Sequence, residues 1–229
     1  MKAMFINGGP RKKWSTYQML EKAMEGAEAQ GAEVELVNLY DYDFKGCKSC
    51  FACKLKNAKT NGLCAIRDDI TPILERTLNA DVIVMGSPVY FYFTTGVLKS
   101  FMERLMYPVL TYNPKVNEET GEFELSRLDR TVPTAMIYTT GDTKEGAEAF
   151  RHALDVNGQF LKNIYGYTET LYSYHTYQFK DYSRYEVMEG VEESRTKQRD
   201  EQFPKDLENA YELGKRLVKK AREFKEDKS

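Results

Sequence analysis

The sequence predicts an α/β fold in which five parallel strands form one doubly wound sheet with helices on both faces. Strands alternate with helices over residues 1–174, a pattern typical of parallel sheets with right-handed crossovers. Residues 82–86 are apolar apart from a final glycine, as expected of a strand that helices cover on both faces. The length of 229 residues fits a single domain, 1–229.

The first unit is a strand, a polar loop and a helix. Residues 2–6 are largely apolar, and apolar residues recur at helical spacing over 19–27. Ser15 and Gln18 have the spacing of a capping box at the start of that helix. A loop that enters a helix offers free backbone N–H groups at the positive end of the helix dipole, so residues 7–16 are a candidate phosphate site. The alternative is an ordinary strand-to-helix turn.

Later elements follow the same alternation. Further strands are predicted at 33–39, 81–86, 131–138 and 166–174. Helices are predicted from near Ile70, over 97–105, over 146–163 and from Phe203 to Ala221. Asp68 and Asp69 precede the first of these helices and are interpreted as its caps. Residues 182–202 are polar and are predicted to form a loop.

Three segments lie outside this regular alternation. They are a cysteine loop at 44–67, an arm at 107–130 and a tyrosine-rich C-terminal extension at 172–203 that precedes the last helix. Within the arm, residues 117–121 are predicted to turn and Phe123 to lie on a short hairpin strand.

Five such strands suit the flavodoxin-like strand order 2-1-3-4-5. Ligands of these sheets bind beyond the carboxyl ends of the strands, where the strand order reverses. The loops 8–16, 87–93 and 139–142 all follow carboxyl ends and contain Gly, Pro, Ser or Thr. We therefore expect these three loops to form one ligand site.

Composition and motifs exclude several classes of protein. A net charge of −2 without a long basic run argues against nucleic acid as a partner. No apolar run approaches the roughly 20 residues of a membrane-spanning helix, and no signal peptide is evident, so we expect a cytoplasmic protein without membrane contact. The first loop has neither G-x-x-x-x-G-K-[ST] nor G-x-G-x-x-G, which argues against a nucleoside triphosphatase and a dinucleotide-binding Rossmann enzyme.

All three strand-end loops contain recognisable motifs. Residues 7–11 with Thr16 match N-G-S-P-R-x-x-x-x-T, with Gly9 in place of the serine. Residues 87–91 match S-P-V-Y-F, and residues 139–141 match T-T-G. In this combination the chain resembles the NADPH-dependent FMN reductase family of flavodoxin-like flavoproteins, and within it the branch related to archaeal iron–sulfur flavoproteins.

This resemblance implies a single flavodoxin-like FMN-binding domain in which the flavin performs the chemistry, so that no catalytic side chain is expected. The first loop would hold the FMN phosphate, the second would line the isoalloxazine ring, and the third would close the other side. The implied cofactor-binding residues are Gly9, Pro10, Arg11, Ser15, Thr16, Ser87, Pro88, Val89, Tyr90, Phe91, Thr139, Thr140, Gly141 and Asp142. Trp14 stands where a small residue is common in the family.

The function that the resemblance implies is an FMN-dependent oxidoreductase. It would take hydride from NAD(P)H and pass electrons to a small-molecule or protein acceptor. The alternative is an FMN electron-transfer protein between redox partners, with or without an iron–sulfur cluster. A thiol-based redox sensor that uses the cysteine loop is a third hypothesis. The resemblance also implies a homodimer or homotetramer.

The cysteine loop contains all four cysteines, Cys47, Cys50, Cys53 and Cys64. The first three are separated by two residues each, so one loop could wrap one face of an iron–sulfur cluster while Cys64 completes the thiolate set. Iron–sulfur flavoproteins have such a block with a shorter final gap. The longer gap leaves a [4Fe–4S] cluster possible but not favoured, with free thiols and zinc as alternatives.

Tyrosines crowd the C-terminal part of the chain: Tyr165, Tyr167, Tyr172, Tyr174, Tyr177, Tyr182 and Tyr185. Because tyrosine is favoured at interfaces, we expect this segment, or the arm, to cover the flavin of a neighbouring subunit. The alternative is a tyrosine-rich surface loop. His175 is either structural or a hydrogen-bond donor to flavin or substrate, and His152 is assigned no role.

Overall fold

The computed structural model describes residues 1–58, 60–118, 121 and 123–227. Its strands are β1 Lys2–Asn7, β2 Glu33–Asn38, β3 Val82–Pro88, β4 Leu110–Val116, β5 Phe123–Ser126, β6 Val132–Thr139 and β7 Gly166–Ser173. Its helices are α1 Ser15–Glu28, α2 Thr71–Leu78, α3 Gly96–Met106, α4 Lys144–Tyr165, α5 Val191–Lys197 and α6 Phe203–Glu226. A π-helical turn, Gln198–Gln202, joins α5 to α6.

Five strands form a parallel sheet in the order β2-β1-β3-β6-β7. This confirms the predicted order 2-1-3-4-5, because β4 and β5 belong to the arm. Phe5 of β1 lies opposite Leu36 of β2 and Val84 of β3. The central strands β3 and β6 are buried along almost their whole length, which explains their apolar sequence.

Helices cover both faces of the sheet, as predicted. On one face α2, α3 and α4 pack around a core that includes Ile83 and Phe101. On the other face α1 and α6 pack around a core that includes Phe5 and Val84. Among the described residues, no helix has the length and apolar character that crossing a membrane requires.

Two glycines fix the packing of α1 against α6. A Cβ on Gly214 would lie 1.8 Å from the carbonyl oxygen of Ala23, and one on Gly26 would lie 2.0 Å from that of Tyr211. Because no side chain can occupy either position, the two helix backbones touch directly. This contact holds α6 beside α1, the helix that follows the first loop.

The arm is an antiparallel hairpin of β4 and β5, which confirms the placement of Phe123 on a hairpin strand. The amide of Gly121 donates to the carbonyl of Asn117 over 2.8 Å. Glu119 and Thr120 of the predicted turn lie outside the described residues, as does Lys59 of the cysteine loop.

The predicted caps of α2 are wrong. Ile70 occupies the N-cap position, and no side chain caps this helix among the described residues. Asp68 instead forms an ion pair with the buried Arg104 of α3. The Asp68 carboxylate therefore neutralises the buried Arg104 guanidinium instead of capping the helix.

Two other local predictions are also wrong. The side chain of Gln18 donates to the carbonyl of Lys13 over 2.7 Å, so that it forms no capping box with Ser15. Residues 182–202, predicted as loop, contain a short 3-10 turn, α5 and the π-helical turn. The polar composition of that segment reflects exposed helix faces, since its buried contacts come from a few residues such as Arg195.

Candidate functional site

The carboxyl ends of β1, β3, β6 and β7 surround one pocket. Thr16 in the first turn of α1 and Thr139 at the end of β6 are joined by a hydrogen bond of 2.6 Å between their hydroxyls. The amide of Val89, just after β3, donates to the carbonyl of Thr139 over 2.9 Å. The three predicted loops therefore meet. The lining residues are Gly9, Pro10, Arg11, Trp14, Ser15, Thr16, Pro88, Val89, Tyr90, Thr139, Gly141, Thr176, Tyr177 and Gln178.

The first loop is fixed by close packing. The amide of Gly8 donates to the carbonyl of Gly86 over 2.8 Å, and the Thr95 hydroxyl donates to the carbonyl of Gly8 over 2.7 Å. A Cβ on Gly8 would lie 2.7 Å from the Cβ of Leu98. Glycine is required here because the loop backbone lies directly against α3.

The N-terminus of α1 is open to an anion. The amides of Ser15, Thr16 and Tyr17 have no hydrogen-bond partner among the described residues, and no side chain caps the helix. Amides in this position, at the positive end of the helix dipole, bind phosphate. The pocket beside these amides has a volume of about 70 Å³. The amide donors suit one phosphate group.

Arg11 brings a positive charge to the same end of the pocket. Its guanidinium carbon lies 4.1 Å from the centre of the Trp14 ring. One of its nitrogens donates to the carbonyl of Gln178 over 2.6 Å. These contacts hold the cation beside the open helix end, where it complements the backbone amides.

The second loop contains a strained aromatic turn. Tyr90 and Phe93 exchange backbone hydrogen bonds of 2.9 and 3.0 Å. Between them Phe91 and Tyr92 have φ angles of +49° and +70°, a left-handed conformation that costs a non-glycine residue about 1–2 kcal/mol. The Tyr92 ring stacks on Phe150 at 4.7 Å, whereas Phe91 is 97% exposed. Strain of this kind is concentrated at ligand sites.

The third loop is held by residues that follow β7. The amide of Thr176 donates to the carbonyl of Thr140 over 2.9 Å. The buried guanidinium of Arg195 donates to the carbonyls of Thr176 over 2.6 Å and Gly141 over 3.0 Å. Helix α5 therefore supplies the side chain that ties the last two strand-end loops together.

Four predicted cofactor residues lie beside the pocket and outside its lining. The hydroxyl of Ser87 accepts a hydrogen bond from the amide of Thr95 over 3.0 Å, so Ser87 positions the start of α3. The hydroxyl of Thr140 accepts a hydrogen bond from the amide of Asp142 over 3.1 Å, within the third loop. Phe91 extends into solvent at the tip of the aromatic turn. Their contact with a cofactor remains a prediction.

The structure adds four lining residues that the sequence analysis did not place in the site: Trp14, Thr176, Tyr177 and Gln178. The last three follow the carboxyl end of β7, the neighbour of β6. The rule that ligands bind at carboxyl ends applies to this strand too, so its following loop could have been included.

His175 does not line the pocket. Its Nε2 lies 2.6 Å from the hydroxyl of Ser194, and its amide donates to the carbonyl of Asp142 over 2.7 Å. These contacts support the structural interpretation of this histidine, which fastens α5 to the third loop.

The described residues of the cysteine loop do not form a metal site. Cys53 is buried and Cys50 is exposed, and among the described residues no group of three Cys, His, Asp or Glu side chains is arranged to hold a metal ion. All four thiols border one cavity of about 20 Å³. Burial raises the pKa of the Cys53 thiol. Among the described residues, the thiols as placed are not arranged to hold a [4Fe–4S] cluster or zinc, and the free-thiol alternative stays a prediction.

Comparison with known proteins identifies one family. A family model described as NADPH-dependent FMN reductase matches residues 1–164. An iron–sulfur flavoprotein of Archaeoglobus fulgidus is 40% identical over 104 residues, 45% of this chain and 48% of that protein. A Bacillus subtilis protein, provisionally named NAD(P)H-dependent FMN-containing oxidoreductase YwqN, is 31% identical over 104 residues, 45% of this chain and 51% of that protein. The matched region thus spans about half the length of this chain and about half the length of these curated relatives.

Solved structures share the fold over almost the whole chain. The NAD(P)H:quinone oxidoreductase from Methanothermobacter marburgensis superimposes with a TM-score of 0.63 at 17% identity, covering 95% of this chain and 96% of that one. This likeness confirms the predicted α/β fold.

Proposed function

Because the chain belongs to the NADPH-dependent FMN reductase family, we propose that it is an FMN-dependent oxidoreductase that takes hydride from NADH or NADPH. The electrons would pass to a small-molecule or protein acceptor. The observation that supports this most directly is the meeting of three strand-end loops in one pocket beside the open start of α1. FMN, when bound, supplies the redox chemistry by accepting hydride and releasing electrons.

The phosphate end of the cofactor would lie at α1. The amides of Ser15 and Thr16 and the Thr16 hydroxyl would donate hydrogen bonds to it, and Arg11 would supply the opposite charge. The unpaired amides at the start of α1 are the structural support for this assignment.

The ring end would lie beside the second and third loops, which the hydrogen bond between Val89 and Thr139 joins. Pro88, Val89 and Tyr90 of the second loop, and Thr139 and Gly141 of the third, would contact it. Among the pocket residues that the structure describes, none is Asp, Glu, His, Lys or Cys. These residues would therefore bind and orient the ring and exclude water, while proton and hydride transfer belong to the cofactor and its co-substrate.

The test is a titration of the full chain with FMN, followed by anaerobic addition of NADPH or NADH. We expect stoichiometric uptake of FMN with a two-band visible spectrum, then rapid bleaching by a pyridine nucleotide. A chain that takes up no FMN would contradict the proposal. Bleaching by reduced protein donors alone would favour the electron-transfer alternative.

We also propose a homo-oligomer that assembles through a groove between α3 and α4. This groove, about 700 Å³, is lined mainly by apolar residues. Phe160 is 55% exposed there, and Tyr107 of the arm borders it. Tyr112 of the arm is 56% exposed and Tyr185 of the tyrosine-rich extension is 51% exposed, so both segments are candidates to reach a neighbour's flavin.

Light scattering tests this assembly. We expect a mass at least twice the 26.5 kDa of one chain, and a shift toward monomer in Phe160→Glu. The matched control is Gln159→Glu, which adds the same charge one position away, outside the groove lining. A monomeric native protein would contradict the proposal.

A further inference from the structure

Arg195 of α5 is a buried cation without a counter-charge. The residue is 9% exposed, and its guanidinium donates to the backbone carbonyls of Thr176 and Gly141. Its Nε is buried without a hydrogen-bond partner, and the guanidinium forms no ion pair among the residues that the structure describes. Buried charges are almost always paired, because burial removes their hydration. The surroundings of Arg195 therefore lack one negative charge.

The carboxylates of neighbouring segments are placed elsewhere. Oδ1 of Asp142 lies beside the first turn of α4, 3.4 Å from the position that a Cβ on Gly146 would take. Asp206 of α6 accepts hydrogen bonds from Ser173 over 2.6 Å and from Gln202 over 2.8 Å. Neither carboxylate supplies the negative charge that Arg195 lacks.

The Arg195 guanidinium lies directly behind the wall of the candidate flavin pocket. Both carbonyls that it binds belong to residues that line this pocket, Thr176 and Gly141. A Cβ on Gly141 would lie only 3.1 Å from Nη2 of Arg195, so the guanidinium packs against the bare backbone of the third loop. The charge is one residue removed from the pocket, and a charge acts over such distances in a protein interior. Because Arg195 does not line the pocket itself, it is not a catalytic residue.

We propose that the Arg195 charge stabilises the negative charge that the flavin ring gains when it is reduced. This inference rests on the proposed function, in which the ring contacts Thr139 and Gly141. Hydride transfer moves one proton and two electrons from NADH or NADPH to a neutral ring. The nicotinamide becomes a cation, and the reduced ring carries one negative charge. A fixed cation beside the ring favours this reduced form without forming a bond or moving a proton.

The consequence is a raised midpoint potential of bound FMN, which favours acceptance of hydride over service as a low-potential electron carrier. Arg195 lies beyond residues 1–164, which the family model matches. The charge is therefore a feature of the C-terminal part of this chain, brought to the third loop by the packing of α5.

The test is the midpoint potential of FMN bound to the full chain, measured by anaerobic reductive titration against a reference dye. The native chain should bind reduced FMN at least as tightly as oxidised FMN. Arg195→Gln, which can still donate to a carbonyl, should weaken the binding of reduced FMN about tenfold relative to oxidised FMN. Such a change lowers the potential by about 30 mV for a two-electron couple. Arg195→Lys retains the charge and should restore most of the native potential.

A structural role for Arg195 predicts different results. Tighter binding of oxidised than of reduced FMN by the native chain would overturn the proposal, and this measurement stands even if Arg195→Gln does not fold. The same potential in the native chain and in Arg195→Gln, or equal shifts in the glutamine and lysine variants, would also overturn it.

The matched control is Arg184→Gln, which removes an exposed cation of the same C-terminal segment outside the pocket lining. It should leave the potential unchanged, and a shift equal to that of Arg195→Gln would overturn the proposal. FMN uptake is measured on the same samples. Absent uptake by the native chain contradicts the proposed function, whereas normal uptake with an unchanged potential in Arg195→Gln contradicts this inference alone.

Discussion

The hydroxyl oxygens of Thr16 and Thr139 lie 2.6 Å apart, although 123 positions separate the two residues in the sequence. Both side chains are buried, and both line the candidate flavin pocket. One hydroxyl proton is used between them, so the other hydroxyl proton is available to a ligand. This pair joins the phosphate end of the pocket to the third loop.

Thr16→Val should weaken FMN binding by about tenfold or more, since it removes a hydrogen bond to a charged phosphate as well as the bond to Thr139. The isosteric change keeps the volume of the side chain. The measurement is a fluorescence titration with FMN. Thr16→Ser, which retains the hydroxyl, is the control and should bind nearly as well as the native chain. Equal affinity of the valine and serine variants would contradict the assignment.

Phe91→Asn should raise the free energy of unfolding by about 1 kcal/mol, because asparagine tolerates the left-handed conformation that Phe91 adopts. The exposed ring makes little contact that would be lost. If the ring covers the flavin, the same change should weaken FMN binding severalfold. Chemical denaturation and FMN titration measure the two effects.

The control for this turn is Phe93→Asn, which replaces an aromatic residue of the same turn outside the left-handed region. It should gain no stability. Similar gains in both variants would indicate that conformational strain at Phe91 is not the cause.

The sequence predicted the sheet well because its central strands are buried on both faces, and burial forces an apolar sequence such as that of residues 82–86. The prediction failed at Asp68, because a position just before a helix is typical of a helix cap. The partner that actually uses this carboxylate, Arg104, is distant in sequence and invisible to local rules. The same holds for the site: motif residues near the loops were found, whereas Tyr177 and Gln178 enter through the packing of β7 beside β6.

Asp68→Ala should destabilise the protein by about 3 kcal/mol, because it leaves the fully buried guanidinium of Arg104 without its counter-charge. Among the described residues, the other groups near Arg104 include the backbone carbonyls of Ile66 and Lys45 and the Cys64 side chain, and none of them is a carboxylate. Chemical denaturation measures the change. Asp69→Ala, at an exposed neighbouring carboxylate, should change stability by less than about 0.5 kcal/mol. Equal effects would refute the role of the ion pair.

Asp81→Asn should remove about 1 kcal/mol of stability at neutral pH. Burial alone would raise the pKa of Asp81, but hydrogen bonds from the Lys225 side chain and the Lys2 amide outweigh it and hold the pKa below 3.8. The carboxylate is more acidic in the folded chain than in the unfolded chain, so its contribution is present above pH 3.8 and is lost as pH falls through the folded pKa.

Denaturation of the native chain and of Asp81→Asn between pH 7 and 2.5 tests this sign. The difference in free energy of unfolding should be constant down to about pH 5 and should shrink below pH 4. Asp43→Asn is the control, since Asp43 is exposed and has no ion pair among the described residues. A difference that grows on acidification would contradict the prediction.

The thiols should differ in reactivity toward iodoacetamide at pH 8. The thiolate is the reactive form, and burial both raises the pKa of Cys53 and shields its sulfur. Cys50 is exposed and should be alkylated first, whereas Cys53 should react at least about tenfold more slowly. Peptide mapping by mass spectrometry follows each site, and guanidinium chloride should abolish the difference. Equal protection of all four thiols, released together by a chelator, would show a bound metal and contradict the free-thiol alternative.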